Sequence, residues 1–180
     1  GIRDKLVTGV QTCALPICIG SIAAPINVAS TNANPVVLAA QSLSGGVVVS
    51  NTGLVGITIG QITTIDTSAC GGLIATTLTG VAATGDVCLQ TAGSITVANN
   101  VTSSSANVTV VAPSGAITLN GGSVVAASGN VALYAGSDIT LNVNNVTAST
   151  TSGTASLVST GGALNDSGGV VLGRQVVLSA

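Results

Sequence analysis

The stretches GSITVANNV (93–101), GAITLNGGSV (115–124) and GSDITLNVNNV (136–146) are three versions of one pattern. Each has a triplet of Ile, Thr and Val or Leu that follows a glycine and precedes a cluster of Asn or Gly. The leading residues are Ile95, Ile117 and Ile139, so both steps have the same length. Self-similarity at a fixed period, here about 22 residues, is the signature of repeats that stack on one another.

Two further columns repeat with nearly the same period. The first contains DVCLQ, NVTVV, NVALY, TASLV and QVVLS, led by Val87, Val108, Val131, Ala155 and Val176. The other contains Val101, Val124 and Val146. Two or three short strands per repeat, with Gly and Asn at the corners between them, are typical of the coil of a β-solenoid.

Side-chain alternation along these strands predicts which residues face the core. Thr96, Thr118 and Thr140 are expected to point outward as a ladder. The predicted inward stack comprises Val87, Ile95, Val108, Ile117, Val131 and Ile139.

The fold predicted from these patterns is all-β, a parallel β-solenoid with roughly seven coils of about 22 residues. Residues 85–180 form the regular coils, and we expect this region to be truncated at its C-terminal end. Residues 18–84 have a similar composition and are predicted to form irregular coils, with strand-like segments at 36–38, 47–49, 57–62 and 73–78.

Residues 1–17 are interpreted as an artefactual segment. Read back into DNA, residues 1–4 and 7–17 fit the two halves of a short-read sequencing adapter, and the two residues between them fill the space of a six-base sample index. The same segment superficially imitates a lipoprotein signal ending at Cys18, but Pro16 and Ile17 replace the small residues expected there. We therefore exclude residues 1–17 from the fold prediction, and any native start is expected upstream.

The composition of residues 18–180 excludes several function classes. Arg174 is the only basic residue in this range, which contains no His, Phe, Trp or Met. Nucleic-acid binding needs several Lys or Arg side chains, so it is not expected. No apolar run reaches the length of a membrane-spanning helix, which is roughly 18 residues or more.

Candidate catalytic and metal-binding residues are few. The acidic residues Asp66, Asp86, Asp138 and Asp166 fall in different coils, whereas hydrolytic sites need paired carboxylates or a metal beside a strong base. Calcium binding would need clustered oxygen ligands, and the repeat typical of calcium-binding solenoids is absent from the sequence. We therefore expect no catalytic residue, no cofactor and no metal site.

Cys70 and Cys88 are the two native cysteines, and their separation is slightly shorter than one repeat of the sequence. Because that spacing is close to one coil, the pair could form a disulfide across adjacent coils of an exported protein. Two free thiols are an equally good interpretation, and the geometry of the pair decides between them.

The stretches GSITVANNV, GAITLNGGSV, GNVALYAGSDITLNVNNV (129–146) and GGALNDSGGVVLG (161–173) resemble the filamentous haemagglutinin-like family of large exoproteins from Gram-negative bacteria. The resemblance implies a right-handed parallel β-helix and export by two-partner secretion or as an autotransporter passenger, through an outer-membrane transporter. It also implies a location at the cell surface or outside the cell. Contact with a host cell or a glycan surface would be made through the full-length protein.

Three functions follow, in order of preference. The first is a structural stalk segment of a secreted adhesin or exoprotein, without catalysis. The second is a self-assembling cross-β element of an extracellular matrix, since low charge and abundant Val and Thr also favour stacking between chains. The third is a β-helix enzyme that acts on polysaccharide.

Overall fold

The computed structural model describes residues 19–29, 33–66 and 74–180, and within these ranges every regular element is a β-strand. Residues 1–18, including the adapter-like segment, lie outside the described residues. The strands in chain order are β1 Ile26–Val28, β2 Val36–Leu38, β3 Ala40–Ser42, β4 Val47–Asn51, β5 Ile57–Ile59, β6 Gln61–Asp66, β7 Ile74–Thr79, β8 Val81–Ala83, β9 Val87–Thr91, β10 Ile95–Val97, β11 Val101–Ser103, β12 Val108–Ala112, β13 Ile117–Leu119, β14 Val124–Ala126, β15 Val131–Ala135, β16 Ile139–Thr140, β17 Val146–Thr147, β18 Thr154–Ser159, β19 Leu164–Asn165, β20 Val171–Leu172 and β21 Gln175–Ser179.

Three parallel sheets surround one apolar core. Sheet A has seven strands in the order β1, β4, β9, β12, β15, β18 and β21. Sheet B contains β2, β5, β10, β13, β16 and β19, and sheet C contains β3, β8, β11, β14, β17 and β20. Each turn of the chain therefore adds one strand to each sheet, which confirms the predicted parallel β-solenoid. The handedness that the resemblance implies remains a prediction.

Strand register follows the columns of the sequence. Ile95 pairs with Ile117, and Ile117 with Ile139, along sheet B. Sheet A aligns Val87, Val108 and Val131 in the same way. The residues assigned to the inward stack are at most 1% exposed. Complete burial of such a side chain contributes about 1.5–3 kcal/mol, so the aliphatic columns supply the main stabilising term.

The solenoid has about six turns of roughly 23 residues, since sheets B and C contain six strands each. The count is lower than roughly seven because β6 and β7 leave the coil. β6 and β7 pair antiparallel as a hairpin between β5 and β8, so the predicted strand 57–62 is divided at Gly60. The step from Val47 to its partner Val87 is nearly two repeats long, and it becomes a single repeat when residues 61–79 are left out.

The hairpin base is held within the coil. The Gly80 amide donates to the Gly60 carbonyl at 2.8 Å, so the chain leaves and re-enters the coil at neighbouring points. Gly80 has a φ of +71°, and a Cβ on it would lie 2.2 Å from the Asn100 carbonyl oxygen of the next turn. A residue with a side chain is therefore strained at this position.

Candidate functional site

The interior of the solenoid is occupied by packed aliphatic side chains and a few polar groups at the strand ends. The Ser103 hydroxyl donates to the Gly85 carbonyl at 2.8 Å and accepts the Ala106 amide at 3.0 Å. The Asn51 amide group donates to the Thr91 hydroxyl at 3.2 Å. Within the described ranges, no buried side-chain nitrogen or oxygen is without a hydrogen-bond partner. These groups satisfy corner backbone atoms, as buried polar groups must.

Asp86, Asp138 and Asp166 each accept hydrogen bonds at separate corners of the solenoid. Asp86 Oδ1 accepts the backbone and side-chain N–H groups of Asn107, both at 3.0 Å. Asp138 Oδ1 accepts the Ala163 amide at 2.8 Å. Asp166 Oδ1 accepts the amides of two glycines that follow it, at 3.0 and 2.6 Å. Asp66 is the last residue of β6.

Polar ladders connect successive turns at the corners, and Asp86 begins one of them. Asn107 Oδ1 accepts the Asn130 amide at 2.9 Å, and Asn130 Oδ1 accepts the Thr154 amide at 2.8 Å. A second ladder precedes sheet C, where Asn100 Oδ1 accepts the Ser123 amide at 2.9 Å. The residue just before a strand thus bonds its counterpart one turn later, so these side chains stabilise the coil.

Potential metal ligands are not grouped by this arrangement. In the part of the chain that the structure describes, no three His, Cys, Asp or Glu residues come together. Arg174 lies just before β21, and its amide donates to the Gly153 carbonyl at 2.9 Å.

Cys88 is a half-buried free thiol on the outer side of β9. Burial raises the pKa of the Cys88 thiol, and the nearby Asp86 carboxylate raises it further. Cys70 lies outside the described residues, so the proposed disulfide remains a prediction. The residue that pairs with Cys88 one turn earlier in sheet A is Val48.

The outer face of sheet B is a threonine ladder. Thr58, Thr96, Thr118 and Thr140 occupy the same position in successive turns, and each is partly exposed. The ladder is one residue wide, since the strands of sheet B have only one outward side chain between two inward ones.

The outer face of sheet C forms a trough of about 390 Å³. Its floor is made of Gln41, Ala82, Thr102 and Val125, one from each of four successive turns. The hairpin lies beside it, where Thr77, Leu78 and Thr79 line a smaller cleft of about 180 Å³ with Gln41 and Ala82. The sequence prediction missed this cleft because it placed residues 61–79 in the coils. One signal in the sequence could have revealed the cleft: the repeat becomes regular when residues 61–79 are left out of the alignment.

The outer face of sheet A carries two outward rows that differ in size. We call the row Val48, Cys88, Thr109 and Ala132 the groove row, because it lines a groove of about 450 Å³. We call the neighbouring row Gln90, Val111, Tyr134 and Val158 the ridge row, whose members are aligned in successive turns. Neither row contains a charged residue.

Comparisons of the chain with protein-family models, with curated proteins and with solved structures gave no match. Within residues 19–29, 33–66 and 74–180, no helix has the length and hydropathy needed to cross a membrane.

Proposed function

We propose that the chain is a structural stalk segment of a large secreted bacterial surface protein, an adhesin or exoprotein of the filamentous haemagglutinin-like kind. The observation that carries the proposal is the unbroken stack of aliphatic columns through three parallel sheets. Added coils lengthen such a stack without changing its cross-section, because each repeat contacts mainly its neighbours. Six spacings between the strands of sheet A correspond to roughly 29 Å of length.

The same architecture supports export of the chain. Contacts between neighbouring turns allow each coil to fold on the one before it, so folding can proceed as the chain leaves an outer-membrane transporter. The low charge of the coils also favours this order of events, since few ionic groups need partners from distant segments. We therefore propose a location at the cell surface or outside the cell.

Binding in this proposal belongs to the full-length protein. The outward rows of the three sheets carry no charged residue, so their contacts with a host cell or glycan would use hydrogen bonds and van der Waals packing. We assign no catalysis to the segment, because Asp86, Asp138 and Asp166 each accept hydrogen bonds from N–H groups at the corners of the coil.

Antibodies raised against the 180-residue chain test the proposal on intact cells of the organism that encodes it. We expect surface labelling that external protease removes and that is lost when the outer-membrane transporter gene is disrupted. Labelling only after lysis would contradict the stalk proposal. Product release from a panel of polysaccharides would favour the enzyme instead.

The uncharged outward rows also suit the second candidate, a self-assembling cross-β matrix element. Fibre diffraction distinguishes a stalk segment from a matrix element. If the purified chain formed matrix fibrils built from short zippers, dried material would give a meridional cross-β diffraction pattern. The mass of the assemblies in solution would also grow with time. A stalk segment would remain a discrete particle with the length of six turns.

A further inference from the structure

The sequence contains one Asn–Gly pair, Asn120–Gly121, which lies at the corner between β13 and β14. Both residues are exposed. Gly121 has a φ of +109°, a backbone conformation that residues with a side chain rarely adopt. The corner therefore presents to solvent a side-chain amide that is followed by a backbone nitrogen without a neighbouring Cβ.

Hydrogen bonds hold the backbone on both sides of the Gly121 amide but not this amide itself. The amides of Asn120 and Gly122 both donate to the Val97 carbonyl, at 2.9 and 3.1 Å. Among the residues that the structure describes, neither the Gly121 amide nor the Asn120 side chain has a hydrogen-bond partner. The side-chain carbonyl of Asn120 and the next backbone nitrogen are therefore both available for reaction with each other.

The asparagines of the polar ladders are held differently. Asn100 Oδ1 accepts the Ser123 amide, and the amide of the residue after Asn100 donates to the Ser123 carbonyl at 2.9 Å. Asn107 Oδ1 accepts the Asn130 amide, and the amide after Asn107 donates to the Asn130 carbonyl at 2.9 Å. In both places the side-chain carbonyl and the following amide are engaged, and the following residue is a β-branched valine.

We propose that Asn120 is a site of spontaneous deamidation, in which the side-chain amide becomes a carboxylate through a cyclic imide. The Gly121 nitrogen loses its proton to hydroxide and attacks the side-chain carbonyl carbon of Asn120. The new carbon–nitrogen bond closes a succinimide ring, the bond to the side-chain nitrogen breaks, and this nitrogen takes a proton from water and leaves as ammonia. Water then opens the ring at either carbonyl, so that aspartate and isoaspartate both form.

The two products differ in their effect on the corner. Both add a negative charge at an exposed position, but isoaspartate also inserts a methylene group into the backbone between residues 120 and 121. This insertion separates the two amides that share the Val97 carbonyl as acceptor, so one of their hydrogen bonds should be lost. We expect the isoaspartate form to melt at a lower temperature than Asn120→Asp, which carries the charge on a backbone of normal length.

Ageing of the folded 180-residue chain at mildly alkaline pH, followed by peptide mass spectrometry, tests the site. A synthetic peptide of residues 115–124 is the unfolded reference. We expect Asn120 in the folded chain to react within about threefold of its rate in the peptide, and at least about tenfold faster than Asn100 or Asn107. Modification of the peptide but not of the folded chain, or equal rates at Asn120 and the ladder asparagines, would overturn the proposal.

Ammonia release and product identity provide a second measurement. Asn120→Ser should remove most of the ammonia released by the folded chain, whereas the control Asn99→Ser, one turn corner earlier, should leave the release unchanged. Circular dichroism checks that both variants fold. Aspartate without isoaspartate at position 120 would overturn the cyclic route. All of these outcomes are independent of the stalk proposal, which does not require the modification.

Discussion

At the residue scale, the solenoid depends on inward side chains that have no contact with water. Ile139 is 0% exposed, and it lies between Ile117 of the previous turn and Leu164 of the next. Thr140, one residue later, points outward and is partly exposed. Adjacent positions of one strand therefore have opposite environments.

Ile139→Asp should lower the free energy of unfolding by about 3–5 kcal/mol, because it buries a carboxylate without a partner. Thr140→Asp should change it by no more than about 0.5 kcal/mol. Urea unfolding followed by circular dichroism measures both values. Equal stability of the two variants would mean that the inward and outward assignments are wrong.

Cys88 should react slowly with iodoacetamide. Burial and, to a smaller extent, the Asp86 carboxylate raise the pKa of its thiol, so less reactive thiolate is present near neutral pH. Peptide mass spectrometry should show severalfold slower alkylation of Cys88 in the folded chain than in urea. Asp86→Asn, which keeps the hydrogen-bond acceptor and removes the charge, should speed it slightly.

At the element scale, the corners hold successive turns together through side-chain oxygens. Ser94 Oγ accepts the Ala116 amide at 3.1 Å, but Ala116 has no side-chain oxygen that could accept the backbone amide of Asp138 in the following turn. Asp138 resumes the ladder by accepting the Ala163 amide. Position 116 is therefore a gap in the ladder that precedes sheet B.

Ala116→Ser should fill this gap and raise the free energy of unfolding by about 0.5–1.5 kcal/mol through one added hydrogen bond. Ala106→Ser is the control, since residue 106 lies in a corner but not directly before a strand. Thermal and urea unfolding of the two variants measure the difference. A loss of stability in Ala116→Ser would contradict the ladder as a stabilising element.

The hairpin should be removable without loss of the solenoid. Replacing residues 61–79 by a single Asn leaves three residues between Ile59 and Val81, as between Val97 and Val101. The shortened chain should keep its β circular dichroism spectrum and its cooperative melting, because the β5 and β8 pairings with later turns remain. Loss of cooperative melting would show that the hairpin is part of the core structure.

The contrast between the hairpin and the regular turns explains what sequence reasoning could predict. From Val87 to Val176 each turn repeats the same inward positions, so aligned columns were enough to give the register. Residues 61–79 have the same Ile, Thr and Ala composition, and composition does not distinguish an antiparallel hairpin from another coil.

The candidate surfaces were less accessible to sequence reasoning than the fold. The threonine ladder of sheet B follows from alternation alone. The grooves of sheets A and C depend on the relative sizes of side chains from several turns, and on where the hairpin lies beside Gln41 and Ala82.

At the scale of the whole molecule, three sheets share one core of aliphatic side chains, and nearly every strand pairs with the strand one turn before or after it. Stability in such an array is a sum of contributions from turns and from the contacts between neighbouring turns. The proposed role as a stalk depends on this stacking, because it creates both the rod and its uncharged outer faces.

Methyl NOE spectroscopy of the chain with isotope-labelled isoleucine tests the stacking most directly. We expect cross-peaks between the methyl groups of Ile95 and Ile117 and between those of Ile117 and Ile139, since these residues pair in successive turns. The threonines that directly follow these isoleucines point outward and are partly exposed. Their methyl groups should therefore give no cross-peaks with the isoleucine methyl groups in the core. Absence of both isoleucine cross-peaks in the folded chain would contradict the solenoid.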